Sequence, residues 1–452
     1  MNGALERSAP GLPSVVPSSP RAAAKRDRIK KRTSRLVLAA ITLFTITVPI
    51  DMVPVIGDRF GVSRIAGMLV LLVAILQPAN ALRRPHPALW WFTAYAAIVF
   101  LTGIPLYEAY GSEILLRVFT IAQLLLLFWV LSNVLQDDTV SRRTLLVFAL
   151  SCALVAALMG LGIFRTSFET ARGTRLSFAG GNSNQVGGTL MLGLLTLVGL
   201  AYTAHLTGRL WKWLVPMIAI PVAFAIMETG SRGSVVGLVG GLTAFVLAGQ
   251  KLGTRMRNLV IFAMAAGVVY FAVYSTMISR SRWEEAVETR RLTGRERIYP
   301  AAIAMFMQKP IQGWGPEANR RELGMRVPLL GARSLDTHNM YLHVLTEVGV
   351  LGAIPFFIGL GLCLRSALRA RSTPHGLLPI VLTSAVLIAT LASNWALRKP
   401  LWLVLSYAAA SGAGATQKRR RRSTLPYAIP VQALKGSVPA AEAEPSSAPA
   451  SV

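Results

Sequence analysis

Charge is scarce in this chain, and acid is scarcer than base. Only 15% of its 452 residues are Asp, Glu, Lys or Arg, against 53% hydrophobic, and the mean hydropathy is +0.52. A soluble domain carries about 25% charged residues, so a water-exposed globular body is excluded. Twenty acidic residues face 47 basic ones, for a net charge of +27. In a soluble protein that surplus would suggest nucleic acid. Here membrane topology accounts for it, and no nucleic-acid partner is read. Cysteine is limited to Cys152 and Cys363, both inside apolar runs, which excludes a disulfide framework and argues against a zinc site. There is no Walker loop, no G-x-G-x-x-G and no H-E-x-x-H, and no acidic pair with metal-ligand spacing stands out. The reading therefore holds no cofactor and no metal, and the energy for any reaction comes with the substrate, for example from a pyrophosphate leaving group. No cleavable signal peptide is read, because the first apolar run starts near Leu36 behind a basic leader.

What the chain has in abundance is apolar runs of the length that crosses a bilayer core of about 30 Å. They predict an all-α integral membrane protein with about twelve spans, near 36–54, 63–81, 87–104, 113–134, 144–164, 185–204, 210–228, 233–250, 258–277, 341–364, 376–395 and 398–414. Residues 1–35 read as a disordered, basic cytoplasmic N-terminus, and 415–452 as a disordered cytoplasmic tail. Residues 36–277 hold spans one to nine, 278–340 form one large periplasmic loop, and 341–414 hold spans ten to twelve.

Charge sets the expected orientation. With the N-terminus inside, every inside segment is basic: Arg83-Arg84, Arg142-Arg143, Arg209 with Lys212, Lys251 with Arg255 and Arg257, Arg365 with Arg369 and Arg371, and Lys418 to Arg422. Both termini are then cytoplasmic. The outside segments are not free of cations, but theirs are nearly all arginine: Arg165, Arg172, Arg175 and Arg232, and in the large loop Arg280, Arg282, Arg290, Arg291, Arg295, Arg297, Arg320, Arg321, Arg326 and Arg333. Guanidinium is the better fork for phosphate oxygens. The plain alternative is a solvated loop in an arginine-rich protein.

Four segments could carry chemistry. In Glu228-Thr229-Gly230-Ser231-Arg232-Gly233-Ser234 an arginine sits at a helix break at the outer face. Its partner is either Glu228, four residues earlier, or a lipid-linked phosphate. Gly294-Arg295-Glu296-Arg297-Ile298-Tyr299 opens an amphipathic helix through Ile298, Ala301, Ala302, Met305 and Phe306, expected to lie along the membrane surface with its arginines at the anion-favouring end. That helix stops before Lys309-Pro310, and Gly313-Trp314-Gly315-Pro316 turns the chain. His338 stands at the outer face just before the tenth span, with Asp336 as an orienting neighbour and Asn339 following. It is either a proton acceptor or, with Asn339, part of a helix cap. His343 and Glu347 are spaced as a structural pair. Gly180-Gly181-Asn182-Ser183-Asn184 reads as a helix entry turn that could also line a polar site.

In this order, these segments resemble the O-antigen ligase and polymerase superfamily of bacterial membrane glycosyltransferases. The resemblance spans roughly 175–360. It rests on Gly181-Asn182-Ser183-Asn184, Ser231-Arg232-Gly233, Gly294-Arg295, Lys309-Pro310, Gly313-Trp314-Gly315, and His338-Asn339-Met340-Tyr341-Leu342 running into Glu347-Val348-Gly349-Val350-Leu351-Gly352. One departure is Ser183, where many members have proline. The resemblance implies a metal-independent inverting transferase in the bacterial inner membrane. It would take a glycan from undecaprenyl pyrophosphate to an acceptor hydroxyl on lipid A core or another glycan. Arg232 and Arg295, with Arg297 in reserve, would hold the pyrophosphate, and His338 would be the general base. Asn182, Asn184, Asp336 and Asn339 would support them. Membrane lipids and other polysaccharide assembly proteins are the implied surroundings. Ligase stands first and polymerase second. A lipid-linked glycan transporter is the rival from another class, but no inverted repeat is visible; a silent scaffold is the third reading.

Overall fold

The computed structural model describes residues 35–51, 54–56, 60–170, 173–203, 206, 208–249, 251–288, 294–328 and 334–424. The N-terminal leader, most of the C-terminal tail, His205, Arg172, Arg290, Arg291 and Arg333 lie outside the described residues.

Each of the twelve apolar segments overlaps a helix. These are α1 (35–47), α2 (Val62–Leu76), α3 (Pro87–Gly103), α4 (Tyr107–Val134), α5 (Asp138–Gly160), α6 (Ser183–Tyr202), α7 (Arg209–Glu228), α8 (Arg232–Leu247) and α9 (Leu252–Ser275). Three shorter helices follow, α10 (Met277–Glu288), α11 (Arg295–Gln308) and α12 (Ala318–Arg326), and then α13 (Met340–Arg369), α14 (Leu378–Ala389) and α15 (Lys399–Thr424). Among the described residues, six helical segments are long and apolar enough to cross a membrane, with α3 and α4 counted together. The helices 35–50, 62–76, 232–247 and 378–389 are apolar but shorter. Met264, Tyr270 and Phe271 on α9 and Trp213 on α7 are exposed, as side chains facing lipid are. The architecture is an all-α membrane bundle.

Two differences from the sequence reading matter for the site. The fifth span ends at Gly160, and the chain then forms an antiparallel hairpin, β3 (Arg165–Thr170) with β4 (Gly173–Phe178), that pairs Phe168 with Arg175. (A smaller hairpin joins β1, Pro54–Ile56, to β2, Phe60–Gly61.) The apolar face of the amphipathic helix α11 is also covered by protein. Its residues Ile298, Ala302 and Met305 are buried against Leu323 and Val327 in a satellite core, while Ile303 and Met307 on the other side are exposed. The reason is α12, which offers that face a protein partner.

Two packing devices place the polar ends. The first is a stripe of glycines on α8 that lets α14 approach closely. A Cβ added at Gly233 would stand 2.7 Å from the Ala392 Cβ, and one at Gly237 would stand 2.9 Å from that of Ala389. In lipid, where apolar burial drives little association, such close backbone contact is what holds helices together. It also sets Arg232, at the start of α8, beside the chain leaving α14.

The second device is a break in α13 at Gly349, whose φ is +58°. The break leaves main-chain groups without helical partners, and the Pro310–Gly315 loop supplies them. Trp314 N–H donates to Thr346 O (2.9 Å) and Gly315 N–H to Glu347 O (2.8 Å). In return Val350 N–H donates to Pro310 O (2.8 Å) and Leu351 N–H to Ile311 O (3.1 Å). Gly313 (φ +71°) also has no room for a side chain, since a Cβ there would stand 2.5 Å from the Glu347 carbonyl. At Gly349 the backbone (φ +58°, ψ −164°) lies in a region that is essentially glycine-only and costs an L-residue about 1–3 kcal/mol, and an added Cβ would strike Ile311 O. Gly349→Ala is therefore expected to lower the thermal midpoint of the detergent-purified chain. Gly361→Ala in the same helix, where an added Cβ meets nothing within 4 Å, should leave it unchanged or raised.

Candidate functional site

The polar side chains converge at one end of the bundle, in two adjoining groups. The first is a cluster of guanidinium groups. Arg175 reaches from β4, its Nε donating to Thr229 O (3.0 Å) and its terminal nitrogen to Asn184 Oδ1 (2.9 Å). Thr229 ends the turn before α8, and Arg232 follows at the first position of that helix, behind the Ser231 cap. Arg295, at the start of α11, donates to Ala392 O (2.7 Å) just beyond α14. The three cations stand close enough to act on one another. Burial first, then Arg295 and Arg232, bring the Arg175 guanidinium down to about 10. Arg232 and Arg295 stand at helix starts, where main-chain N–H groups and the helix dipole favour an anion.

His338 sits beside this cluster. It occupies the left-handed region, with φ +52°, which costs a non-glycine residue about 1–3 kcal/mol and is found where function constrains the backbone. Its N–H donates to Asp336 Oδ1 (2.7 Å), and the Asn394 amide donates to Asp336 Oδ2 (3.1 Å). Asp336 thus orients the backbone of the turn. Asn339 is the cap of α13, accepting from Tyr341 and Leu342 N–H. Burial pushes the His338 imidazole below its ordinary value of 6.5; the Asp336 charge opposes this, and Arg295, Arg175 and Arg320 reinforce it. The ring is therefore held neutral at pH 7. Burial would raise the Asp336 carboxyl, but His343, the His338 N–H, the His338 ring and the Asn394 amide outweigh it and hold it below its ordinary value.

The second group lines a polar chamber of about 550 Å³. Its cations are Arg64, Arg117, Arg320, Arg398 and Lys399, and its carboxylates are Asp51, Glu113, Glu317 and Asp336. The charges are largely matched. Lys399 donates to Asp51 (2.6 Å), and Glu317 lies between Arg117 (3.5 Å) and Arg320 (3.3 Å). Arg117 also pairs with the fully buried Glu347 and donates to His343 Nε2 (2.9 Å). The Tyr95 hydroxyl donates to Glu347 at 3.5 Å. A buried ion pair needs this many partners to offset its desolvation.

The sequence-predicted residues are thus distributed unevenly. His338, Asp336, Arg295 and Arg232 come together. Asn184 joins them through Arg175, while Asn182 is the exposed cap of α6, accepting from Asn184 N–H. Arg297 is exposed in the first turn of α11. Arg175 and the chamber were missed as site components. Arg175 was visible as one of the outer arginines, but the hairpin that carries it was not; the chamber draws on residues from Asp51 to Lys399 that no local motif links.

No curated protein matches the chain. Residues 217–357 match the family described as O-antigen ligase, a segment that contains Arg232, Arg295, Asp336 and His338 but not Arg175. Over that segment the chain is similar to O-antigen ligases, and the likeness read from its motifs to the O-antigen ligase and polymerase superfamily of membrane proteins holds.

Proposed function

We propose that the protein is a bacterial inner-membrane glycosyltransferase. It moves a glycan from an undecaprenyl-pyrophosphate carrier to an acceptor hydroxyl at the periplasmic face, and ligation to lipid A core ranks ahead of polymerisation. The observation that carries this reading is the convergence of Arg175, Arg232 and Arg295 beside a neutral histidine, inside and next to the segment that matches the family.

The chemistry follows from that arrangement. The acceptor oxygen attacks the anomeric carbon as the bond from that carbon to the pyrophosphate oxygen breaks. The proton of the hydroxyl passes to the His338 imidazole. The electron pair leaves with the pyrophosphate, whose growing charge is met by the guanidinium cluster. Fixed cations at the point where charge develops are the most effective form of such stabilisation. Attack from the face opposite the leaving group inverts the anomeric centre. His338, Arg232, Arg295 and Arg175 carry the step; Asp336, Asn339 and Asn184 hold the turn, the helix start and Arg175.

Two outcomes are expected. His338→Ala should insert and fold but lose roughly 10²–10⁴-fold of transfer, measured with purified protein and lipid-linked glycan. In the wild type the rate should be full at pH 7 and fall as pH drops below 6.5, because protonation removes the base and its folded value lies below 6.5; an acid limb above 6.5 would contradict this. Arg175→Gln should cost about ten- to a hundredfold in donor use, the scale of a lost charged hydrogen bond, with the thermal midpoint kept. A lowered thermal midpoint with donor use retained would make Arg175 a structural tie between the hairpin and α8.

A further inference from the structure

The chamber beside the guanidinium cluster is not needed to hold a diphosphate, and its chemistry differs from that of the cluster. Its volume of about 550 Å³ falls within the roughly 300–1,000 Å³ of small-ligand sites. Its wall holds five cations and four carboxylates, with Glu347 directly behind Arg117. Neither sign is in the surplus that would draw a charged ligand. The wall also carries buried polar atoms that have no protein partner among the described residues: Arg117 Nε, Gln185 Oε1, Arg320 Nε and His343 Nδ1. Such atoms are costly to leave unmatched. Together they offer both donors and an acceptor, a set that suits the hydroxyls of a sugar.

His343 is the most informative of them. It is 1% exposed, one turn into α13 and five residues beyond His338. Its Nε2 lies 2.9 Å from an Arg117 terminal nitrogen. A guanidinium only donates, so Nε2 must accept, and in the neutral ring the proton is then on Nδ1. Arg117 is in turn fixed by Glu347 and Glu317. The result is a single N–H, of fixed tautomer, on a ring that lines the chamber and has no protein acceptor. His338 is not part of the chamber wall, but it follows Asp336 of that wall by two residues and its N–H donates to the Asp336 carboxylate.

We infer that the chamber binds the acceptor glycan as an uncharged, hydroxyl-rich sugar, and that His343 Nδ1–H reads one of its hydroxyl oxygens as a specificity-determining contact. Assigning this sugar as the acceptor rests on the transferase reading above, because the acceptor hydroxyl must approach His338 while the diphosphate occupies the arginines.

The test has two arms. The first needs no turnover: saturation-transfer NMR on the detergent-purified full chain with methyl hexosides, a hexuronate and a hexose phosphate as probes. The inference expects transfer to the uncharged sugars, weaker transfer to the charged ones, and loss of signal in His343→Phe. No transfer to uncharged sugars, or a preference for the anionic ones, would overturn it even if the variant failed to fold. The second arm is kinetic. His343→Phe should raise the acceptor KM about tenfold, the scale of one lost hydrogen bond, with donor KM unchanged and partial recovery in His343→Gln. An unchanged acceptor KM would remove His343 from recognition. Sugar binding without any transfer by the wild type would instead overturn the transferase reading and leave the chamber's ligand class standing.

Discussion

The break at Gly349 is the constraint on which the outer end of this molecule depends. A continuous α13 would satisfy its own main chain and leave the Pro310–Gly315 loop nowhere to dock. Because Gly349 takes a positive φ, two carbonyls and two N–H groups are released, and the loop pairs with all four. That exchange fixes Glu317, at the end of the loop, within 3.5 Å of Arg117, and holds Glu347 where Arg117 can neutralise it. The same helix begins with the His338–Asn339 turn. One backbone irregularity thus sets the spacing between the His338 turn, the buried ion pair and the chamber wall. Non-helical backbone is tolerated at such depth only where protein satisfies it, and here it does.

The electrostatics divide into two compartments of different character. Around Arg175, Arg232 and Arg295 like charges are gathered, with Arg175 held by a carbonyl and an amide and Arg295 by a carbonyl. Around Arg117 and Lys399 the charges are paired within the protein, so what remains on offer is hydrogen bonding. His338 is influenced by both. The proposed transfer would use this division, with charge on the leaving side and neutral recognition on the accepting side.

The bundle was legible from the sequence because apolar runs are long and lipid imposes helix on them; all twelve segments overlap helices, of which six helical segments among the described residues are long and apolar enough to cross a membrane. The motifs around Arg232, Arg295 and His338 were legible because glycine and small hydroxyl residues mark helix starts. The β3–β4 hairpin was not, since Arg165 to Phe178 shows no clear alternation and its strands pack on the end of a bundle whose position the sequence does not give. The protein cover over α11 was missed for a related reason: amphipathic spacing reports a face but not whether lipid or protein covers it. His343 and Glu347 were readable as a pair. Their third partner, Arg117, lies 226 residues from His343 and follows from no local pattern.

The most direct test of the central claim is a structure of the purified protein with undecaprenyl pyrophosphate bound. The account predicts the diphosphate among Arg175, Arg232 and Arg295, with His338 beside it and the Arg117–Lys399 chamber free of phosphate. A diphosphate seated in that chamber, or at the opposite end of the bundle, would contradict it.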